Sequence, residues 1–204
     1  MNKMIVILAI LIVALLLMPV SLAESELAHQ FTFKNTITWD STPDEVESVL
    51  KAGVERSEET IESIGTITVL QTVNESFAGY KCSKMAFLCY NNKLCSIYCY
   101  YNESDVGDVA SLIEGLTEIY GVPHTYEYEE LPLLDFLSGD KTMCDWNIGD
   151  ETKIVVVNHK NDDTLLPSQY PYLCTASFEN IPVNKQLQEA FRTQADNSEM
   201  EPDK

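Results

Sequence analysis

The stretch from Tyr80 to Tyr101, YKCSKMAFLCYNNKLCSIYCYY, is the most informative part of the sequence for the fold. It consists of two apolar segments, Tyr80–Tyr90 and Leu94–Tyr101, on either side of a turn at Asn91-Asn92-Lys93. Asparagines between two runs of aromatic and aliphatic residues are typical of a β-hairpin. We therefore predict an antiparallel hairpin at the centre of the fold.

The cysteines of the hairpin suggest its register. If Cys89 lies opposite Cys95, then Phe87 lies opposite Ile97, and apolar side chains gather on one face of the hairpin. This register also makes Cys89 and Cys95 the pair best placed for a disulfide. An even number of cysteines, six, agrees with disulfides in an exported chain, but buried free thiols are the alternative.

Segments that flank the hairpin predict further strands and two main helices. Alternating or β-branched sequence predicts strands in five segments: Phe31–Trp39, Thr66–Val73, Thr142–Ile148, Thr152–Asn158 and Tyr172–Phe178. One helix begins after Thr42, with Pro43 in its first turn and Glu45 completing a capping box. The other begins at Ser104 or Asp105 and ends at Gly121, whereas residues 55–64 form a loop or a weak helix.

The strands alternate between apolar and polar residues, which favours an antiparallel sheet with one covered face. We predict an α+β fold in which two main helices pack on one face of a sheet of about five to seven strands.

The N-terminus has the features of a signal peptide. Lys3 precedes the apolar run Ile5–Met18, Pro19 interrupts it, and Ser21-Leu22-Ala23 forms a small-residue cleavage site. We predict that residues 1–23 are removed, that residues 24–182 form one α+β domain, and that residues 183–204 form a short helix and an acidic disordered tail. A retained membrane anchor over residues 4–23 is the alternative. Cleavage predicts a secreted protein or one on the extracellular face of the cell envelope.

The formal charge of the chain is −19, and because Lys3 is the only charged residue of the leader, its removal leaves −20. Phosphate groups would be repelled, so the charge argues against nucleic acid and anionic membrane surfaces as partners. A basic protein partner remains compatible with this charge.

Three groups of residues carry a family resemblance. They are Phe33–Leu50 with the pattern Trp-x-x-Thr-Pro-x-Glu-Val, the turn Tyr90–Leu94, and Tyr120–Pro123 together with Trp146 and Thr152–Val155. The chain resembles small exported proteins of Gram-positive bacteria, and its helix-then-hairpin layout is similar to the module of the assembly lipoprotein BamE and of the β-lactamase-inhibitor proteins. This resemblance implies an interaction module rather than an enzyme.

A segment at residues 124–141 is the candidate contact surface, because it combines aromatic and aliphatic side chains with carboxylates. The candidate binding residues are Tyr126, Tyr128, Glu129, Leu133, Leu134 and Phe136. The same composition would suit a loop that covers the core. We predict a non-catalytic binding protein whose partner is another protein, without a cofactor or a metal.

Two other functions stay open. An extracellular thiol-dependent enzyme could pair a cysteine with His124 or His159, although no local nucleophile motif surrounds these residues. A carrier for cations or small molecules is the other alternative. The common hydrolase, nucleotide-binding and zinc-protease motifs are absent from the sequence.

Overall fold

The structure is a computed structural model that describes residues 31–50, 53–73, 75–127, 140–160 and 170–199. The predicted signal peptide and most of the 124–141 segment lie outside the described residues. No helix in the described ranges has the length and apolar character needed to cross a membrane.

The described chain is α+β and is built on one eight-stranded antiparallel sheet. In chain order its strands are β1 (Glu55–Ile61), β2 (Gly65–Thr72), β5 (Lys84–Tyr90), β6 (Lys93–Tyr101), β7 (His124–Thr125), β8 (Lys141–Ile148), β9 (Thr152–Asn158) and β10 (Cys174–Asn180). The spatial order is β1-β2-β5-β6-β10-β9-β8-β7. Two short strands, β3 (Ser76–Phe77) and β4 (Tyr80–Lys81), form a separate ribbon.

The helices of the described chain lie on both faces of the sheet. They are α1 (Pro43–Val49), α2 (Glu103–Val106), α3 (Val109–Tyr120) and α4 (Ile181–Glu199). Side chains of α1 and α3 belong to the same core cluster as Phe87 and Ile97, whereas Leu187 of α4 packs with Tyr90 and Cys95. The α+β class is confirmed, but the sheet has more strands than predicted, and its helices are not confined to one face.

The main core is aromatic. The ring of Phe33 stacks on Phe77 at a centroid distance of 4.2 Å, and it meets Phe87 and Phe178 edge-on at 5.9 and 5.4 Å. Phe33, Phe87 and Phe178 have no exposed surface. Rings in this arrangement contribute packing energy beyond their buried area, so this cluster holds the N-terminal segment against the sheet.

The central hairpin has the predicted position and most of the predicted register. Asn91 and Asn92 have positive φ angles of 48° and 66°, which is the conformation of a type I′ turn. Phe87 lies opposite Ile97 as predicted. The register shifts between Leu88 and Cys89, so Cys89 lies opposite Leu94.

This β-bulge corrects the predicted pairing of Cys89 with Cys95. An extra residue in one strand turns the following side chains to the other face. Cys89 therefore belongs to the main core cluster, while Cys95 belongs to the smaller cluster under α4. All six cysteines have free thiols.

Three segments differ from their predicted secondary structure. Tyr80–Tyr90, predicted as one strand, is divided into β4 and β5, which belong to separate sheets. Residues 31–39 form a tight turn, in which Lys34 and Asn35 have positive φ angles and Phe33 pairs with Ile37. Residues 55–61, predicted as loop or helix, form the edge strand β1. A polar, charged sequence is typical of a solvent-exposed edge strand, because it discourages pairing with other molecules.

The ends of the helices can be compared with the capping residues and helix bounds predicted from the sequence. The capping box of α1 is present, with the backbone N–H of Glu45 donating to Thr42 Oγ1 and that of Thr42 donating to the Glu45 carboxylate. The second predicted helix is divided into α2 and α3, and Asp108 caps α3 by accepting a hydrogen bond from the Ser111 N–H at 2.8 Å. The C-terminal helix α4 extends to Glu199, further than predicted.

Candidate functional site

Polar and aromatic side chains form two cross-strand rows on the face of the sheet opposite the main core. Strand pairing places Tyr100, Thr175, Val157 and Thr142 side by side across β6, β10, β9 and β8. The next row consists of Tyr98, Ser177, Val155 and Asp145. Because side chains alternate along a strand, the neighbours of these residues, such as Cys99, Cys174 and Ala176, face the core.

A cavity of about 280 Å³ lies above these rows. Its lining consists of Tyr98, Tyr100, Asp140, Thr142, Val157, His159, Tyr170, Thr175 and Ser177. We call this cavity the tyrosine pocket. Its volume is near the lower end of the range for ligand sites, which is about 300–1,000 Å³.

His159 is a buried polar residue of the pocket whose two ring nitrogens both have a partner. Its Nδ1 lies 2.7 Å from Asp140 Oδ1, and its Nε2 lies 2.7 Å from Thr175 Oγ1. The residue is 7% exposed, and its backbone N–H donates to the Leu173 carbonyl. A neutral imidazole that donates from Nδ1 to the carboxylate accepts the threonine hydroxyl at Nε2. These bonds fix the imidazole in one orientation against the pocket wall.

Aromatic rings form the other walls. Tyr98 and Tyr100 are nearly parallel, with an interplanar angle of 23° and a centroid distance of 6.3 Å. Tyr172 lies 4.8 Å from Tyr100, and Tyr170 lies 4.6 Å from the His159 ring. Burial raises the pKa of Tyr98 and raises that of Tyr100 to about 12. The two phenols are therefore uncharged at neutral pH.

A cation already lies close to one of these rings. The Nζ atom of Lys84, the cross-strand partner of Tyr100, is 6.0 Å from the centroid of the Tyr100 ring. This is within reach of a cation–π interaction. Lys84 does not line the pocket.

A second hollow, of about 360 Å³, lies beside α1 and is lined by Thr36, Ile37, Thr38, Asp40, Ser41, Glu45, Ser48 and Val49. It has no aromatic wall and no buried hydrogen-bond chain among its lining residues. The tyrosine pocket has both an aromatic wall and a hydrogen-bond chain, and it is the better candidate for recognition.

The arrangement of Asp140, His159 and Thr175 has the connectivity of a nucleophile, a base and an orienting carboxylate. Thr175 lies on β10, which pairs with β6 on one side and β9 on the other, so its backbone N–H is committed to the sheet. The backbone N–H of Thr175 is therefore not free to stabilise an oxyanion.

The structure describes one of the six predicted contact residues. Tyr126 is half-buried, its backbone N–H donates to the Met143 carbonyl at 3.2 Å, and its ring meets His124 edge-on at 4.9 Å. Tyr128, Glu129, Leu133, Leu134 and Phe136 lie outside the described residues. The 124–141 segment nevertheless contributes to the tyrosine pocket through Asp140.

Five of the six cysteines have the properties of core thiols, whereas a hydrogen bond with Cys99 lowers the pKa of Cys82. Burial raises the pKa of Cys89, Cys144 and Cys174 to about 12, and it raises those of Cys95 and Cys99 as well. A thiol with a raised pKa is protonated at neutral pH and a poor nucleophile. His159, one of the two histidines considered for a thiol enzyme, bonds with Asp140 and Thr175, so this geometry does not favour that alternative.

Comparisons with protein-family models, with curated proteins and with solved structures found no match to the chain. The family resemblance therefore stays a prediction. His159 was considered from the sequence only as a partner for a cysteine, and Asp140 and Thr175 were missed. One sequence feature could have indicated the pocket: tyrosines such as Tyr98 and Tyr100 stand at positions of the strands where the apolar–polar alternation places polar residues.

Proposed function

We propose that the protein is an exported binding protein, and that its partner, another protein, inserts a side chain into the tyrosine pocket. The observation that carries this proposal is the concave site itself, in which tyrosine rings line the same cavity as the hydrogen-bonded chain Asp140–His159–Thr175. Tyrosine supplies contact area and a hydroxyl group at a low entropic cost, which is why it is enriched at protein interfaces. Export is supported by the leader over residues 1–23.

The rigidity of the pocket supports the same function. Its floor is formed by four hydrogen-bonded strands, and His159 is held at both ring nitrogens. A site that is already ordered loses less conformational entropy when the partner binds. The acidic composition of the chain favours a partner with a basic surface.

Affinity capture with three immobilised baits tests this proposal. The baits are residues 24–204 with the natural sequence, with Tyr98→Ala and with Tyr126→Ala. We expect the natural bait and Tyr126→Ala to enrich the same protein from the envelope and culture medium of the producing cells, and Tyr98→Ala to lose it. Circular dichroism of each bait controls for folding. Loss on Tyr126→Ala alone would move the contact surface to the 124–141 segment, and equal recovery on all three baits would contradict the role of the pocket.

A hydrolase that uses Thr175 as nucleophile is the second candidate, and the two 2.7 Å contacts of His159 favour it. An activated-ester substrate tests it directly. Hydrolysis that Thr175→Ala abolishes and Thr175→Ser retains would establish this activity. Equal background rates for both variants and the natural chain would leave binding as the function.

A further inference from the structure

We propose that the group bound in the tyrosine pocket is an organic cation, either an ammonium or a guanidinium group. This inference rests on the proposed function and specifies the chemistry that the pocket recognises. The same chemistry could come from a lysine or arginine side chain of the partner or from a free organic cation.

The charges of the lining residues give the first argument. Asp140 is the only carboxylate among the nine residues that line the pocket, and none of the nine is a lysine or arginine. The side chain of Asp140 is 23% exposed, so its charge is partly shielded from water. A negative charge at the wall of a partly desolvated cavity attracts a cation and repels an anion.

The aromatic walls give the second argument. A ring face carries partial negative charge, and the attraction of a cation to it increases when water is excluded. Tyr98 and Tyr100 each line the pocket, so their rings can contact a cation that is bound in it. Because the phenols are neutral, their rings offer a quadrupole and a hydroxyl acceptor rather than a full charge.

A buried carboxylate on the same sheet face gives the third argument. Asp145 ends the row that contains Tyr98 and Ser177, and it is 4% exposed. Its Oδ2 lies 3.7 Å from Lys153 Nζ, while Oδ1 has no hydrogen-bond partner in the described ranges of the chain. An unsatisfied carboxylate oxygen is costly when buried, so Oδ1 of this ion pair would gain from a cation bound beside it.

Calorimetric titration of residues 24–204, which include the whole compact unit Phe31–Lys204, tests the proposal. Each cationic probe is paired with a neutral molecule of nearly the same shape. Choline is paired with 3,3-dimethylbutan-1-ol, and N-acetylarginine amide with N-acetylcitrulline amide. We expect at least one cationic probe to bind about tenfold or more tightly than its neutral counterpart.

Two variants connect this binding to the pocket. Asp140→Asn removes the charge and keeps an acceptor for His159, and Tyr100→Leu removes the ring and keeps an apolar side chain. We expect each to weaken binding of the cation by about 10- to 30-fold. Asp150→Asn is the matched control, since it neutralises an exposed carboxylate in the turn at the opposite end of the β8–β9 hairpin. It should leave the affinity unchanged.

The outcomes separate the two proposals. If only the arginine derivative binds, the result supports a side chain of the partner as the source of the bound cationic group. If only choline binds, the result supports a free organic cation. Equal binding of cationic and neutral probes, or binding that Asp140→Asn does not weaken, overturns the cation inference while the pocket remains a binding site. If no probe binds, but Tyr98→Ala loses the captured partner, the cation inference alone fails. If no probe binds and that variant keeps the partner, both proposals fail.

Discussion

Gly115 shows how much can depend on a single missing side chain. It lies inside α3, where alanine would ordinarily form a better helix. A Cβ atom at this position would collide with the backbone carbonyl oxygen of Ala78 and would lie 3.3 Å from the Tyr80 ring. The glycine therefore lets α3 pack directly against the turn between β3 and β4.

We expect Gly115→Ala to destabilise the protein by about 1–3 kcal/mol, because the overpacking exceeds the gain in helix propensity. Urea denaturation followed by circular dichroism measures the change. Glu114→Ala, at the exposed neighbouring position, is the control and should have little effect. A more stable Gly115→Ala variant would show that α3 can move away from Ala78 without loss.

Individual residues also show what a sequence can reveal about this chain. Thr42 and Glu45 were predicted correctly as a capping box, because both partners lie within one helical turn. Asp140 and Thr175 lie 19 and 16 positions from His159, so their meeting depends on the pairing of β8, β9 and β10. No local pattern encodes such contacts, and this is why the candidate site was not predicted.

Among the elements, the accuracy of prediction followed the strength of the alternating pattern. β9 and β10 alternate clearly; β9 was predicted with the bounds it has, and β10 with bounds two residues too early. β1 consists of polar residues whose side chains are mostly exposed, so its strand conformation comes from pairing with β2 and not from a hydrophobic pattern. The bulge at Cys89 depends on tertiary packing and could not be predicted from the hairpin sequence.

Helix α4 covers the part of the open sheet face that lies beside the bulge. Leu187 is 6% exposed and packs with Ile64, Tyr90 and Cys95, and Cys95 Sγ lies 3.8 Å from Asn184 Oδ1. Since Leu187 is the buried apolar side chain of α4 in this small cluster, it is the main contact that holds the helix on the sheet.

We expect Leu187→Ala to cost about 2–4 kcal/mol and to loosen α4. Thiol labelling followed by mass spectrometry should then detect faster modification of Cys95, while Cys89, which faces the main core, stays protected. Gln186→Ala, exposed on the same helix, is the control. Equal acceleration at Cys89 and Cys95 would indicate global unfolding and would contradict a local role for α4.

At the level of the whole molecule, the two faces of the sheet have different chemistry. One face is covered by α1, α3 and the aromatic cluster, and the other carries α4 and the tyrosine pocket. The α+β class followed from sequence periodicity. The strand order did not, because the last strand, β10, is inserted between β6 and β9, and such long-range pairing leaves no signal in a single sequence.

The buried thiols make global stability dependent on pH. Folding raises the pKa of Cys89, Cys144 and Cys174 from 9.0 to about 12. In the unfolded chain these thiols lose their protons near pH 9, whereas the folded chain keeps them. The resulting stability is fully present below pH 9 and is lost as the pH rises through about 12, at up to about 1.4 kcal/mol per pH unit for each thiol.

We therefore expect the free energy of unfolding, measured by urea denaturation under reducing conditions, to fall progressively as the pH rises above 9. For Cys144→Ala, this free energy should fall less steeply with pH than for the natural chain, because one proton-releasing group is missing from the unfolded state. Asp150→Asn, which changes an exposed side chain and leaves every thiol in place, should keep the natural slope. A free energy of unfolding that is constant between pH 9 and 11 would mean that these thiols ionise as easily in the folded chain as in the unfolded chain. The core around them would then admit water.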